Sequence, residues 1–157
     1  MAGLFQTPEN PNSENYAVHL LEPQSPSLPS DQTRGVQADA TSDDGTMIGV
    51  VGTFTSTMAN DTVEANLGYI FHPSSWGKGF ATEAIMTFMR GFWDLQPSVQ
   101  VIRAEVDPRN VPSTRVLQKC GFVEIETIRG GRSLPMIDLG GEPRDLMVFK
   151  IQRPVAG

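Results

Sequence analysis

Apolar residues along this chain change their spacing several times, and each change marks an element. Met47 to Thr55 is dense in Val, Ile, Thr and Phe, the composition of a pleated, half-buried strand. Ala59-Asn60-Asp61 reads as a turn, and Val63 to Phe71 as a second strand that stops at His72-Pro73. These two strands predict an antiparallel meander. Beyond a loop at Ser74 to Gly79, Ala81, Ile85, Phe88, Met89 and Phe92 recur at helical spacing, so a helix over 80–94 buries one stripe and ends at Gln96-Pro97. Val99 to Val106 is apolar again. A strand, helix, strand order implies a crossover and a parallel pairing of 63–71 with 99–106.

The next break is Asp107-Pro108-Arg109-Asn110. A short helix over 112–120 follows, with Pro112 at its first position, Val116, Leu117 and Cys120 as its apolar face, Lys119 in its last turn and Gly121 just past its end. Phe122 to Thr127 reads as a strand. Ile128 to Pro143, with Gly130, Gly131, Gly140 and Gly141, reads as a glycine-rich loop, and Leu146 to Ile151 as the last strand. The fold class expected from this order is α/β (α+β): one mixed central sheet flanked by two helices.

The first 45 residues differ. Pro8, Pro11, Pro23, Pro26 and Pro29 lie among Asn, Ser and Gln, which forbids a long helix. Two short strands, Tyr16 to Leu21 and Gly35 to Thr41, are expected there, then a turn at Ser42-Asp43-Asp44-Gly45. At 157 residues the whole is expected to be one domain, with an irregular, proline-rich part over 1–45 and a core over 46–153.

Composition narrows the function classes. Hydrophobic residues are 39% and charged residues 19%, an ordinary globular balance. No apolar run approaches the ~20 residues of a membrane span, and Met1 to Asn15 lacks a basic-then-apolar leader pattern, so a cytoplasmic protein without membrane contact is expected. A net charge of −6 argues against a nucleic-acid-binding surface while leaving room for a local anion site. Cys120 is the only cysteine, which excludes an intramolecular disulfide, and with His19 and His72 as the only histidines no metal site is expected.

The chemistry is concentrated in Trp76-Gly77-Lys78-Gly79-Phe80-Ala81-Thr82-Glu83-Ala84. A glycine-bearing loop that opens into a helix leaves N–H groups without partners at the positive end of the helix dipole, a setting that suits pyrophosphate. By itself the pattern is more often a tight turn and cap. A P-loop needs Ser or Thr after Gly-Lys, and here Gly79 follows Lys78; a dinucleotide fingerprint needs a small third residue where Thr82 stands, after a parallel strand.

A second segment adds specificity. The run Asp107-Pro108-Arg109-Asn110-Val111-Pro112-Ser113-Thr114-Arg115-Val116-Leu117-Gln118-Lys119-Cys120-Gly121-Phe122 resembles the Asn-x-x-Ser…Gly-Phe block of GNAT acyltransferases. Taken with the 76–84 segment, it is similar to the branch that acetylates ribosomal-protein N-termini and small amines. The resemblance covers roughly Met47 to Arg153. It implies a sheet splayed open between 63–71 and 99–106, acetyl-CoA as co-substrate, and a small amine or protein N-terminus as acceptor. By position, the N–H groups of Gly77, Lys78, Gly79, Phe80, Ala81 and Thr82 would hold the pyrophosphate. Backbone at Ile70, Phe71 and His72 would polarise the thioester carbonyl, Asn110 would contact the pantetheine arm, and Ser113 would stand near the sulfur. Attack on a thioester builds an oxyanion and releases a thiolate, which calls for aimed donors and a proton source.

Each candidate has a plainer reading. Glu64 and His72 are candidate general bases, or else a solvated strand residue and a loop residue satisfied by backbone. Ser113 and Glu83 suit helix capping, Cys120 suits a small core position, and Tyr69, Trp76 and Trp93 suit packing. Relatives carry helices in the part that is proline-rich here. The expectation is therefore an open or partner-completed acceptor pocket, with the 128–143 loop as its movable wall, and a homodimer that buries the cleft edge. The function expected is N-acetyl transfer; the alternative is a GNAT-fold domain without acetyl transfer, serving as a binding module or repurposed biosynthetic enzyme.

Overall fold

A computed structural model describes residues 2–6, 13–20, 45–131 and 143–155. The elements in chain order are β1 (Ala2–Gln6), β2 (Ser13–Leu20), β3 (Met47–Thr57), β4 (Val63–Phe71), α1 (Phe80–Leu95), β5 (Val99–Val106), α2 (Val111–Lys119), β6 (Val123–Gly131) and β7 (Arg144–Gln152). The strands form one seven-stranded sheet in the order β1-β2-β3-β4-β5-β7-β6. β4 and β5 pair in parallel; every other neighbouring pair is antiparallel. The crossover read from the strand, helix, strand order is therefore present, with α1 as its connection.

The meander β3–β4 turns at Met58–Thr62. Asp61 takes a φ of 61° there, and Asn60 Oδ1 accepts the N–H of Thr62 at 3.2 Å. α1 buries Ala84, Ile85, Phe88, Met89, Phe92 and Trp93, the stripe that the spacing predicts. It packs in one core with Val51, Ala65, Leu67, Val99, Ile102, Ala104 and Phe149 of the sheet and Leu117 of α2. In the strands these residues alternate with those of the opposite face, except between Val99 and Ile102, where the β4–β5 register shifts by one residue.

Two segments differ from the sequence expectation. The first is the amino-terminal part, which contributes β1 and β2 to the sheet. Nothing in the period of Ala2–Gln6 announces a strand; pairing with β2 supplies it, in register from Ala2↔Leu20 to Gln6↔Tyr16. The expected strand Gly35 to Thr41 and the residues 42–44 of the expected turn lie outside the described residues. The second is the start of the glycine-rich loop. Ile128 to Gly131 belong to β6, because Ile128 pairs with Leu146 and Gly131 with Arg144. Gly130, at φ 57°, gives its N–H to Asp145 Oδ1 at 3.0 Å, so its glycine serves an irregularity inside the ladder. Residues 132–142 of that loop lie outside the described residues.

The carboxyl end of α1 is closed from a distance. Arg153, past β7, donates from Nε to Val99 O at 2.9 Å and from Nη1 to Trp93 O at 2.8 Å, and Nη2 donates to Gln96 O. Its guanidinium also lies 4.9 Å from the Trp93 ring centroid. One cation thus satisfies carbonyls that the helix leaves open and meets the negative end of its dipole. Replacing it takes a charged donor from the Trp93, Val99 and Gln96 carbonyls at once, of which Gln96 O keeps the Val99 N–H at 3.1 Å. Arg153→Ala is expected to lower unfolding free energy by about 2–3 kcal/mol in a denaturant titration, and Arg153→Lys to recover only part of that, since a single ammonium cannot span the three carbonyls.

Candidate active site

The ladder between β4 and β5 runs only from Val63↔Val99 to Leu67↔Ala104, although β4 continues to Phe71 and β5 to Val106. Past Leu67 the two strands part. Strand geometry fixes which main-chain groups meet the gap. His72 N–H is bonded to Ile48 O on β3 at 2.8 Å, so by alternation Ile70 also faces β3, while Tyr69 and Phe71 direct their N–H and C=O groups toward the side that β5 has left. Of the three backbone positions expected to polarise a carbonyl, Phe71 alone faces the gap; Ile70 and His72 are turned to β3, and Tyr69 joins Phe71 instead. The signal for this is parity along β4, which needs one known hydrogen bond to set its phase.

Two helix starts meet at this end of the sheet. β4 leads through a short 3-10 turn (Pro73–Ser75) into the loop before α1. Trp76 Nε1 donates to Phe71 O at 2.8 Å and so ties the loop to the strand end, with its ring 63% exposed. Gly77 and Gly79 take φ values of 72° and 82°, and a Cβ built on either meets nothing within 4 Å. The glycines are thus needed for their backbone conformation, and they leave open space over the loop. The first helical bond is Glu83 N–H to Gly79 O at 3.0 Å, so the N–H groups of Phe80, Ala81 and Thr82 precede any helical acceptor. Lys78 lies exposed between the two glycines, and Glu83 stands in the first turn.

β5 leads into α2 through a turn held by Asp107. Its carboxylate accepts from Arg109 N, Nε and Nη2 at 2.9, 3.1 and 2.8 Å and lies 3.4 Å from Arg144 Nη1. The Arg109 hydrogen bonds, with the neighbouring charges, hold this carboxyl far below the usual range. Asn110 is the N-cap of α2: its Oδ1 accepts the N–H of Ser113 at 3.2 Å. Capping therefore falls to Asn110 and leaves Ser113 free of that duty. Ser113 Oγ instead lies 2.6 Å from Tyr69 Oη, across the mouth of the gap. Sequence reasoning placed Tyr69 as a packing residue; its partnership with Ser113 joins positions 44 apart and leaves no trace in local pattern.

Burial raises the Tyr69 phenol to about 12, although the Ser113 hydrogen bond pulls the other way. Cys120, buried where α2 ends, has its thiol pushed up to about 11 by desolvation, which fits the core reading of that residue. Trp93 is core as well.

The two candidate bases are far apart in setting. Glu64 is not solvated: it is 7% exposed, with Oε2 3.6 Å from Arg103 Nη1 and Oε1 3.4 Å from Lys150 Nζ. It sits where β4 and β5 are still paired, opposite Val101. His72 is exposed at the end of β4, and its Nδ1 accepts the N–H of Ser74 at 3.3 Å, the loop arrangement weighed for it above. Among the described residues, no group of three or more His, Cys, Asp or Glu is placed to hold a metal ion, and no helix is long and apolar enough to cross a membrane.

The sheet is open and mixed, and its parallel pair splits beside two helix starts. The family described as Acetyltransferase (GNAT) domain matches residues 5–123, most of the chain. The chain belongs to this family. An SPbeta prophage-derived uncharacterized N-acetyltransferase, YokL of Bacillus subtilis (strain 168), is 32% identical over 119 residues, covering 76% of this chain and 62% of the relative. In fold, the chain is similar to the ribosomal-protein-S5-alanine acetyltransferase of Vibrio fischeri (TM-score 0.64, 18% identity, 90% of this chain and 62% of that one). It is also similar to Mycobacterium smegmatis RimJ, solved in complex with CoA-disulfide (TM-score 0.63, 22% identity, 90% of this chain and 53% of that one). This chain thus spans less than two thirds of the length of each of these proteins.

Two outcomes follow from this geometry. Asn110→Ala is expected to cost about 1 kcal/mol of stability, with Asn110→Asp or Asn110→Ser close to the parent, as an N-cap requires; thermal or denaturant unfolding reads this directly. The raised Tyr69 and Cys120 values make the folded state hold protons that the unfolded chain releases, so their contribution is complete below about pH 9 and is lost as pH rises toward 12. Alkaline unfolding curves are expected to flatten in Tyr69→Phe over the upper part of that window and in Cys120→Ala over the lower part.

Proposed function

We propose that this chain binds acetyl-CoA in the gap between β4 and β5 and transfers the acetyl group to an amine, with a small amine or a protein N-terminus as the acceptor class. The observation that carries the reading is the early end of the β4–β5 ladder at Leu67↔Ala104, beside a loop whose two left-handed glycines open onto the start of α1. The residues present fit the group. Open space over Gly77 and Gly79, and the N–H groups from Gly77 to Thr82, suit a pyrophosphate at the positive end of a helix dipole. The N–H and C=O of Tyr69 suit an amide-bearing arm and the N–H of Phe71 suits a carbonyl oxygen, the Phe71 carbonyl being taken by the Trp76 indole.

When bound, acetyl-CoA supplies a thioester carbonyl open to attack by a neutral amine, with a thiol as leaving group. The chain's own contribution is alignment and charge stabilisation. Phe71 N–H would be the donor to the oxygen on which charge develops. Ser113 Oγ would meet the departing sulfur. Asn110 caps α2 through its side-chain oxygen, and its amide NH2 remains a donor for the pantetheine arm. For proton removal from the amine, His72 is better placed than Glu64, since Glu64 is enclosed between two cations in the closed part of the sheet.

A second reading is a fold of this family that binds without transferring, the alternative raised by the proline-rich composition ahead of Met47. Turnover of acetyl-CoA with a panel of polyamines, lysine side chains and peptide N-termini separates the two. CoA at 100 times its dissociation constant is expected to stabilise the fold by about 2.7 kcal/mol, a rise of several degrees in melting temperature. Gly79→Val, which forces a β-branched residue to a positive φ and fills the open space, is expected to abolish most of that rise as well as lowering the starting temperature. A parent protein that shows no shift at millimolar CoA would remove the site.

A further inference from the structure

We propose that Tyr69 is a positioning residue for Ser113: its phenol donates to Ser113 Oγ and so leaves the serine's own proton to point into the gap between β4 and β5. The proposal rests on the acetyl-transfer reading for its chemistry, and on the local hydrogen bonds for its direction.

A serine in the first turn of a helix usually spends its hydroxyl on the backbone, either as a cap or by bonding back to the carbonyl of the preceding turn. Both uses are filled here by other groups. Asn110 Oδ1 already takes the Ser113 N–H. Asn110 O already accepts Thr114 N–H at 3.1 Å and Thr114 Oγ1 at 3.4 Å. Ser113 Oγ lies instead 2.6 Å from Tyr69 Oη.

Two proton arrangements satisfy that contact. In one, the phenol donates to Oγ and the serine proton is free to turn elsewhere. In the other, the serine donates to the phenol, and the protein acceptor within reach of the phenol proton is Ser113 O, 3.3 Å away. That carbonyl lies inside α2, where it also takes a helical N–H four residues on. The short contact to Oγ and the long contact to an already engaged carbonyl favour the first arrangement.

The placement of Tyr69 gives this bond its consequence. It sits two residues past Leu67, the last β4 position paired with β5. Its ring lies 6.3 Å from that of Phe71 by centroids and packs on the core shared by α1 and α2. The bond to Ser113 is thus a direct link between the free half of β4 and the start of α2. Tyr69 and Ser113 together set where a hydroxyl proton meets whatever lies in the gap.

The experiment compares the parent chain with Tyr69→Phe, Ser113→Ala, the double variant and Ser113→Thr, in steady-state acetyl transfer to the best amine found. Tyr69→Phe and Ser113→Ala are each expected to lower kcat about tenfold, the worth of one well-placed hydrogen bond, with KM for acetyl-CoA within about twofold of the parent. The double variant should be no slower than Ser113→Ala, and Ser113→Thr should keep most of the activity. Multiplying losses in the double variant, or a Tyr69→Phe change confined to KM, would overturn the relation between the two residues. If the parent turns over no amine, the transfer reading falls and the binding of CoA against desulfo-CoA decides this proposal alone. The parent should then favour CoA about three- to tenfold, and Tyr69→Phe and Ser113→Ala should both bring that ratio to about one. A ratio near one in the parent, or one that Tyr69→Phe leaves unchanged, overturns it; a parent that binds neither ligand overturns both readings.

Discussion

The parting of β4 from β5 is the constraint on which the rest of the molecule depends. It occurs at the single parallel pairing in the sheet, the one place where the chain must cross over through a helix to return. Because the pair is parallel, both strands end at the same edge, and each feeds a helix there: β4 into α1, β5 into α2. Two positive helix ends therefore flank one gap, at the carboxyl ends of the strands, where open α/β sheets place their ligands. A continuous ladder to Phe71 would have consumed the main-chain groups of Tyr69 and Phe71 and closed the space between the helices.

The two faces of the sheet are built on different physics. One carries the apolar core beneath α1. On the other, Arg103 and Lys150 are direct cross-strand neighbours, a like-charge pairing that costs stability by itself. Glu64 approaches both, at 3.6 and 3.4 Å, and Glu126 reaches Arg103 at 3.6 Å. A partly buried network of this kind offsets its desolvation only when strands β4, β5, β7 and β6 keep their register, so it acts as a check on alignment more than as a source of stability. Glu64 belongs to this network, and its burial follows from that rather than from chemistry at the gap.

Much of the fold is legible in the sequence because it rests on local periods. The stripe from Ala81 to Phe92 dictates α1, and the segments expected as strands at 47–55, 63–71 and 99–106 are read from their β-branched, aromatic and aliphatic residues between turn signals. What was not legible depends on pairing. Ala2–Gln6 becomes a strand because β2 offers an edge, and Ile128–Gly131 stays in the ladder because β7 lies beside it, against the turn preference of two glycines. The site divides the same way. Its glycine loop is a local pattern and could be read directly. The roles of Asn110 and Ser113 could not, since a cap and a hydroxyl facing a tyrosine 44 residues away differ only in three dimensions. Glu64 shows the converse: a carboxylate in a strand looks solvated until the two cations that enclose it are brought in from β5 and β7.

The two tryptophans occupy opposite environments, and this gives the molecule a built-in optical readout. Trp93 is 9% exposed, beneath the Arg153 guanidinium in the core, so its emission is set by packing and reports whether the chain is folded. Trp76 is 63% exposed, and its indole N–H is anchored to the last residue of β4 while its ring stands beside the glycine loop. An anion held over that loop, as proposed, would alter the polarity and quenching around Trp76 and leave Trp93 in its core surroundings. In the folded chain a change in the red-shifted emission of Trp76 would then follow occupancy, whereas loss of the blue-shifted emission of Trp93 would follow unfolding, in the same unlabelled sample.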